Sequence, residues 1–92
     1  MPWGFIMELP ISKEEYDALD EAVGPENPRG LILHTGSETA NGIRVIDIWE
    51  SKDAYERFER EQLMPAWERL SGEAPTEPLP RDEFDVHNIR GA

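Results

Sequence analysis

Cysteine is absent from the 92-residue chain, so neither a disulfide nor a thiolate metal site can hold the fold together. That absence fits a reducing compartment, and a cytoplasmic location is expected. Cations are scarce: 9 Lys and Arg stand against 20 Asp and Glu, a formal net charge of −11. A phosphate backbone is bound by neutralising it, so nucleic acid is not an expected partner, and an anionic membrane surface is disfavoured on the same ground. No stretch approaches the roughly 20 apolar residues of a membrane span, which leaves no expected membrane partner. The opening Met1-Pro2-Trp3-Gly4 lacks the basic start and apolar run of a secretion signal. There is no GxSxG turn and no phosphate-cradling glycine loop, so nucleophilic and nucleotide chemistry have no support.

What is present suits one small domain over residues 1–92. A chain of this length buries only about 60–65% of the surface that its unfolded form exposes. A second copy is therefore a natural cover for leftover apolar surface, and a homodimer is expected.

Trp3 to Leu9 (WGFIMEL) has the composition of a strand, with Trp3, Phe5, Met7 and Leu9 on one face and Gly4, Ile6 and Glu8 on the other. Pro10 ends it. Ser12 followed three residues later by Glu15 is the capping-box spacing. Tyr16, Leu19, Ala22 and Val23 then recur at helical intervals until Gly24-Pro25. The segment from Gly24 to Gly30 holds two glycines and two prolines and reads as a loop. Leu31 to Thr35 (LILHT) is an apolar run suited to a strand buried on both faces, and Gly36 to Gly42 reads as a hairpin connection. Ile43 to Glu50 (IRVIDIWE) is the strongest strand, and its two faces, Val45/Asp47/Trp49 and Arg44/Ile46/Ile48/Glu50, are both largely apolar. Ser51 caps a second helix carrying the patches Ala54/Tyr55/Phe58 and Leu63/Trp67/Leu70, with a kink or break expected near Glu61 to Met64 because of Pro65. Pro75, Pro78 and Pro80 suggest an extended linker, and Glu83 to Ile89 (EFDVHNI) a last strand.

The order strand, helix, strand, strand, helix, strand predicts an α+β, ferredoxin-like βαββαβ fold: a four-stranded antiparallel sheet with both helices on one face. The opposite face is also apolar. Two sheets packed on those faces would make a dimeric α+β barrel.

The stretch Gly30 to Leu70, GLILHTGSETANGIRVIDIWESKDAYERFEREQLMPAWERL, resembles the dimeric α/β-barrel superfamily, and within it small bacterial proteins related to the antibiotic biosynthesis monooxygenase group. The strand RVIDIWES running into a capped helix and the following LMPAWERL carry the resemblance. It implies a pocket between the sheet and the helices of each subunit, and it places the chain near cofactor-independent oxygenases as well as haem-degrading enzymes. The haem-degrading branch depends on an asparagine in the first strand and a haem-ligating histidine on a helix. WGFIMEL has no asparagine and both histidines fall in expected strands, so no haem is expected, and no other cofactor.

The residues that would line such a pocket are Tyr16, Trp49, Phe58, Met64, Trp67 and His87, with His34 and Asp47 as the candidate catalytic pair. An acid in the middle of an apolar strand is costly to bury unless it is paired. Asp47 is therefore either a ligand-binding or proton-accepting carboxylate or the partner of Arg44 or Arg29 of either subunit, or of a tyrosine hydroxyl. His34 is either a satisfied core residue or a base. Asp47 and the two histidines would form a metal triad only if all three faced one way, and no metal is expected. Ligand binding without chemistry is the alternative to catalysis.

Overall fold

The computed structural model describes residues 1–73 and 80–92. Both helix starts are set by hydroxyl caps. The Ser12 hydroxyl accepts from the Glu15 N–H at 3.1 Å while the Glu15 carboxylate accepts from the Ser12 N–H at 3.2 Å, opening α1 (Lys13–Val23). The Ser51 hydroxyl accepts from the Ala54 N–H at 3.1 Å and opens α2 (Lys52–Phe58). The expected break before Pro65 is not a break. The chain stays helical through a wider π-helical stretch, Glu59–Leu63, and runs on into α3 (Met64–Ser71). Within it the Met64 N–H reaches the Glu59 carbonyl, five residues back. The wider turn makes room for the proline ring, and Pro65 falls in the first turn of α3, where a missing donor costs little.

The strands are β1 (Trp3–Leu9), β2 (Leu31–Thr39), β3 (Gly42–Trp49) and β4 (Arg81–Asp85). They lie in the order β2-β3-β1-β4, with every neighbouring pair antiparallel. The expected ferredoxin-like α+β architecture is the observed one. Three local expectations are corrected. β2 continues through Gly36 to Thr39, so only Ala40 and Asn41 remain as the hairpin turn. It is also an edge strand and not a doubly covered one, with His34 and Leu33 reaching the surface. β4 starts at Arg81 and ends at Asp85, so His87 and Ile89 lie beyond it. Pro75 and Pro78 of the expected linker lie outside the described residues, and Pro80 directly precedes β4.

A charge, not an apolar alternation, starts β4. The Arg81 guanidinium sits 5.1–5.6 Å from the centroids of Tyr55, Phe5 and Trp3 and pairs with Glu83 at 3.2 Å and Glu59 at 3.6 Å. A guanidinium held over three rings and between two carboxylates is a stronger anchor than a lone surface ion pair.

Strand alternation divides the side chains as expected. Trp3, Phe5, Leu9, Ile43, Val45 and Trp49 form the buried face, closed by Ala54 and Tyr55 of α2. Tyr55 meets Phe5 at 4.8 Å and Trp49 at 5.4 Å, both edge-on, which is a favoured aromatic geometry. On α3 the buried residue is Ala66, whereas Leu70 of the expected second patch is 52% exposed. The other sheet face carries Ile6, Leu33, Ile46, Ile48 and Phe84, with Arg44 and Glu8 paired at 2.8 Å on its rim. Gly4 is bare there by necessity: a Cβ would lie 2.7 Å from the Phe84 ring.

The caps give a simple test of how much local sequence contributes. Replacing Ser12 by Ala removes the acceptor of one orphan N–H and is expected to cost ~1 kcal/mol, lowering the thermal midpoint by about 4–8 °C. An unchanged midpoint in circular-dichroism melting would show that the box does not hold α1.

Candidate functional site

Asp47 lies mid-strand on the helix-facing side of β3 and is 5% exposed. Its burial is made tolerable by two donors. One carboxylate oxygen meets His34 Nδ1 at 2.5 Å, and the other accepts from Trp49 Nε1 at 2.9 Å. Neither Arg44 nor Arg29 is in this arrangement. Arg44 points to the opposite face and pairs with Glu8. Trp49 stands two residues on from Asp47 on the same strand, so strand parity itself delivers its indole N–H to the carboxylate.

His34 reaches Asp47 because β2 is irregular. Leu31 pairs with Trp49 and Leu33 with Ile48, so Ile32 is an extra residue, a β-bulge. In a regular strand Leu31 and Leu33 would share a face and His34 would turn away from it. With the bulge, Leu33 turns to the open face and His34 sits opposite Asp47 on the helix side. The other imidazole nitrogen, Nε2, meets the Tyr16 hydroxyl at 2.5 Å, with the two rings only 4° from parallel. Tyr16 comes down from α1 onto Gly36, where a Cβ would lie 2.7 Å from its ring. Gly36 thus leaves the space that Tyr16 occupies.

The chain Tyr16–His34–Asp47–Trp49 has a defined polarity. A carboxylate only accepts, so Nδ1 carries the proton toward Asp47. In neutral imidazole Nε2 then holds the lone pair and takes the Tyr16 O–H; in imidazolium it donates to the Tyr16 oxygen. The hydrogen bond to Asp47 raises the His34 pKa above its usual 6.5, against a smaller opposing effect of burial. Burial, reinforced by Asp20, Asp47 and Asp17, raises the Tyr16 pKa, so the phenol keeps its proton at neutral pH. Of the three, His34 Nε2 is the atom that can take up a proton, Asp47 holds the imidazole through Nδ1, and the Tyr16 hydroxyl can both donate and accept.

The group opens on a cavity of about 470 Å³ between the sheet and α1 and α2. Phe5, Leu19, Trp49, Tyr55 and Phe58 supply much of its apolar wall, and the loop at Gly24–Pro28 forms one side. Of the residues singled out from sequence, Tyr16, His34, Asp47, Trp49 and Phe58 come together here. Met64, Trp67 and His87 do not line it. Met64 and Trp67 fall after the π-helical stretch on α3, and His87 is exposed beyond β4, two strands from that of Asp47 and three from that of His34. The conceivable His–His–Asp triad is therefore not assembled, and among the described residues no three ligating side chains cluster to hold a metal. Tyr55 and the Gly24–Pro28 loop were not anticipated as lining. Tyr55 reads only as core, and Glu26 and Asn27, set in a loop bounded by glycine and proline, read as ordinary solvent-facing residues.

The raised His34 pKa has a definite linkage. The group binds its proton more tightly when folded, so its contribution to stability is fully present below about pH 6.5 and is lost as pH rises through the folded value. In a His87→Gln background, the remaining histidine signal should titrate above 6.5 by NMR and move down when Asp47 is changed to Asn. The stability gap between the two proteins in urea should narrow with increasing pH. A midpoint unmoved by Asp47→Asn would sever the pair.

No protein-family model matches the chain, and no curated protein matches it either. Solved structures do. The protein Rv0793 of Mycobacterium tuberculosis superposes with a TM-score of 0.64 at 18% identity, covering 99% of this chain and 100% of its own. A protein from Chloroflexus aurantiacus J-10-fl assigned as an antibiotic biosynthesis monooxygenase superposes at 0.69 with 15% identity, over 99% and 98% of the two chains. A conserved protein of Methanosarcina mazei Go1 gives 0.67 at 10% identity, over 95% and 94%. Over 99% of its length the chain shares the ferredoxin-like fold of the first two of these structures.

Proposed function

We propose that the protein works as a homodimer, each subunit holding a small aromatic molecule in the cavity between sheet and helices, where His34 takes a proton from it in a cofactor-independent, monooxygenase-like reaction. The observation that carries this reading is the hydrogen-bonded series Tyr16–His34–Asp47 ending at an aromatic-walled cavity. A base oriented by a buried carboxylate is the arrangement that proton abstraction needs. The structural likeness to a protein assigned as an antibiotic biosynthesis monooxygenase supports the same class.

The step balances with dioxygen as the only co-reactant. The substrate is a hydroxylated aromatic with an acidic methylene. Its C–H proton leaves for His34, directly or through the Tyr16 hydroxyl, and the electron pair left on carbon passes to dioxygen as a C–O bond forms. The resulting hydroperoxide loses water to leave a carbonyl. One oxygen atom stays in the product, and the other departs as water with the two methylene hydrogens.

Oxygen uptake with dihydroxyanthrone as the probe tests the reading. His34→Gln should lower the rate by about 10²–10⁴-fold, the usual worth of a general base, and Asp47→Asn should lower it less. Uptake that is equal in wild type and His34→Gln would remove His34 from the chemistry. A second reading, a carrier without turnover, is favoured by one contact: Tyr16 already occupies the Nε2 that would act as base. It predicts calorimetric binding of the same probe with no oxygen uptake.

The homodimer rests on the open sheet face. Ile6 and Leu33 are 37% and 40% exposed there, beside Ile46, Ile48 and Phe84. Contiguous apolar side chains on the uncovered face of a sheet mark an interaction surface, and a stable interface buries roughly 1,200–2,000 Å² in total. Ile48→Lys puts a charge at the middle of that face and should convert a dimer to a monomer in sedimentation velocity. A wild-type monomer at micromolar concentration would reject the assembly.

A further inference from the structure

Resting on the cavity reading above, a further property follows from the charges at its edge. Asp20 on α1 and Glu26 on the following loop line the cavity together with Asp47, and among the described residues no lysine or arginine lines it. Asp47 is already matched by His34 and Trp49, so it presents little free charge. Asp20 and Glu26 are exposed. Arg69, the arginine that reaches α1, is turned to the Ala22 carbonyl at 2.9 Å. The cavity edge is therefore a local excess of negative charge on a molecule whose net charge is already −11.

We infer that this cavity selects its occupant by charge, admitting a neutral aromatic hydroxyl compound and disfavouring the carboxylate of the same ring system, with Asp20 and Glu26 as the residues that set the selection. The physical case has two parts. An anion entering past Asp20 and Glu26 meets like charges on a lining that, among the described residues, offers no lysine or arginine, and apolar walls weaken screening there. A neutral phenol meets no such barrier. It becomes an anion only inside, when the proton it gives up reaches His34, directly or through the Tyr16 hydroxyl, and creates the matching imidazolium. Charge is thus excluded at the mouth and made inside. The influence of Asp20 on both partners at the centre supports the geometry, since it helps to raise the pKa values of Tyr16 and His34.

The experiment is isothermal titration calorimetry of the full chain with naphthol and with naphthoate, at low and at high salt. Wild type should prefer naphthol, and the preference should shrink as salt rises. In the double variant Asp20→Asn/Glu26→Gln the affinity ratio of naphthoate to naphthol should rise on the order of three- to tenfold at low salt, the effect of removing two exposed charges near the path. A control with the same net charge, Glu38→Gln/Glu68→Gln, alters exposed acids that do not line the cavity and should leave the ratio near wild type. If the ratio is the same in wild type and the cavity variant, or if the control shifts it equally, local selection is overturned while the cavity stands. If neither probe binds the wild type, the cavity reading itself fails and takes this inference with it.

Discussion

A buried carboxylate on a central strand is the constraint around which the functional half of the molecule is arranged. Asp47 cannot sit on the helix-facing side of β3 without donors, because an unpaired charge there would cost several kcal/mol. Trp49 Nε1 supplies one from the same strand, and His34 Nδ1 the other from the neighbouring edge strand. Each of these demands a further feature. His34 needs the bulge at Ile32 to face inward. Tyr16 needs the bare backbone of Gly36 to lie against β2 and reach Nε2. The Trp49 ring, held by its N–H, becomes both a cavity wall and a partner for Tyr55 and Phe58. Loss of the carboxylate would therefore loosen a wall as well as a base.

The parts of this design that follow from local rules were legible in the sequence, and those that depend on long-range register were not. Ser12 with Glu15, and Ser51, announce helix starts because a cap is a contact between residues three apart. The two faces of β1 and β3 follow from alternation alone. The orientation of His34 could not be read that way: LILHT alternates like any strand, and a single inserted residue reverses the outcome for everything after it. β4 was misplaced by a few residues for a different reason. Its anchor is Arg81, whose guanidinium lies among three aromatic rings, whereas apolar alternation points to EFDVHNI. Pro65 was correctly recognised as an interruption, yet a change in helical pitch accommodated it without a break.

The two faces of the sheet divide a thin core unequally. The helix side holds almost all of the buried aromatic residues and still leaves a cavity of about 470 Å³, so packing there is incomplete by design of the side chains and not for want of apolar residues. The open side holds branched aliphatics and one phenylalanine laid over Gly4. A small domain buries a smaller share of its surface than a large one, and without disulfides it needs that burial for its stability. A filled helix side would meet that need within the chain; an open cavity shifts the burden to the other face. Cavity and apolar outer face are in this sense linked, since retaining one makes covering the other more necessary.

Tyr16 gives the site its tension. Its hydroxyl satisfies His34 Nε2, which protects a half-exposed imidazole from remaining unpaired but also occupies the position a base must use. Two responses to a ligand follow from this geometry. A ligand hydroxyl that hydrogen-bonds to the Tyr16 oxygen leaves the chain intact and extends it by one member, so that a proton can pass through Tyr16 to His34 without a gap. A ligand that binds His34 directly must displace a phenol whose ring is seated on Gly36. The first leaves the existing contacts in place and the second breaks them, so the extended chain is the arrangement that the fold favours. Burial favours the protonated phenol, so in that reaction the hydroxyl would hand one proton on as it receives another. In the reaction proposed above, the edge histidine, the bulge that turns it and the glycine beneath the tyrosine would serve one purpose, which is to carry a proton from the cavity to a carboxylate-supported base that the ligand need not touch.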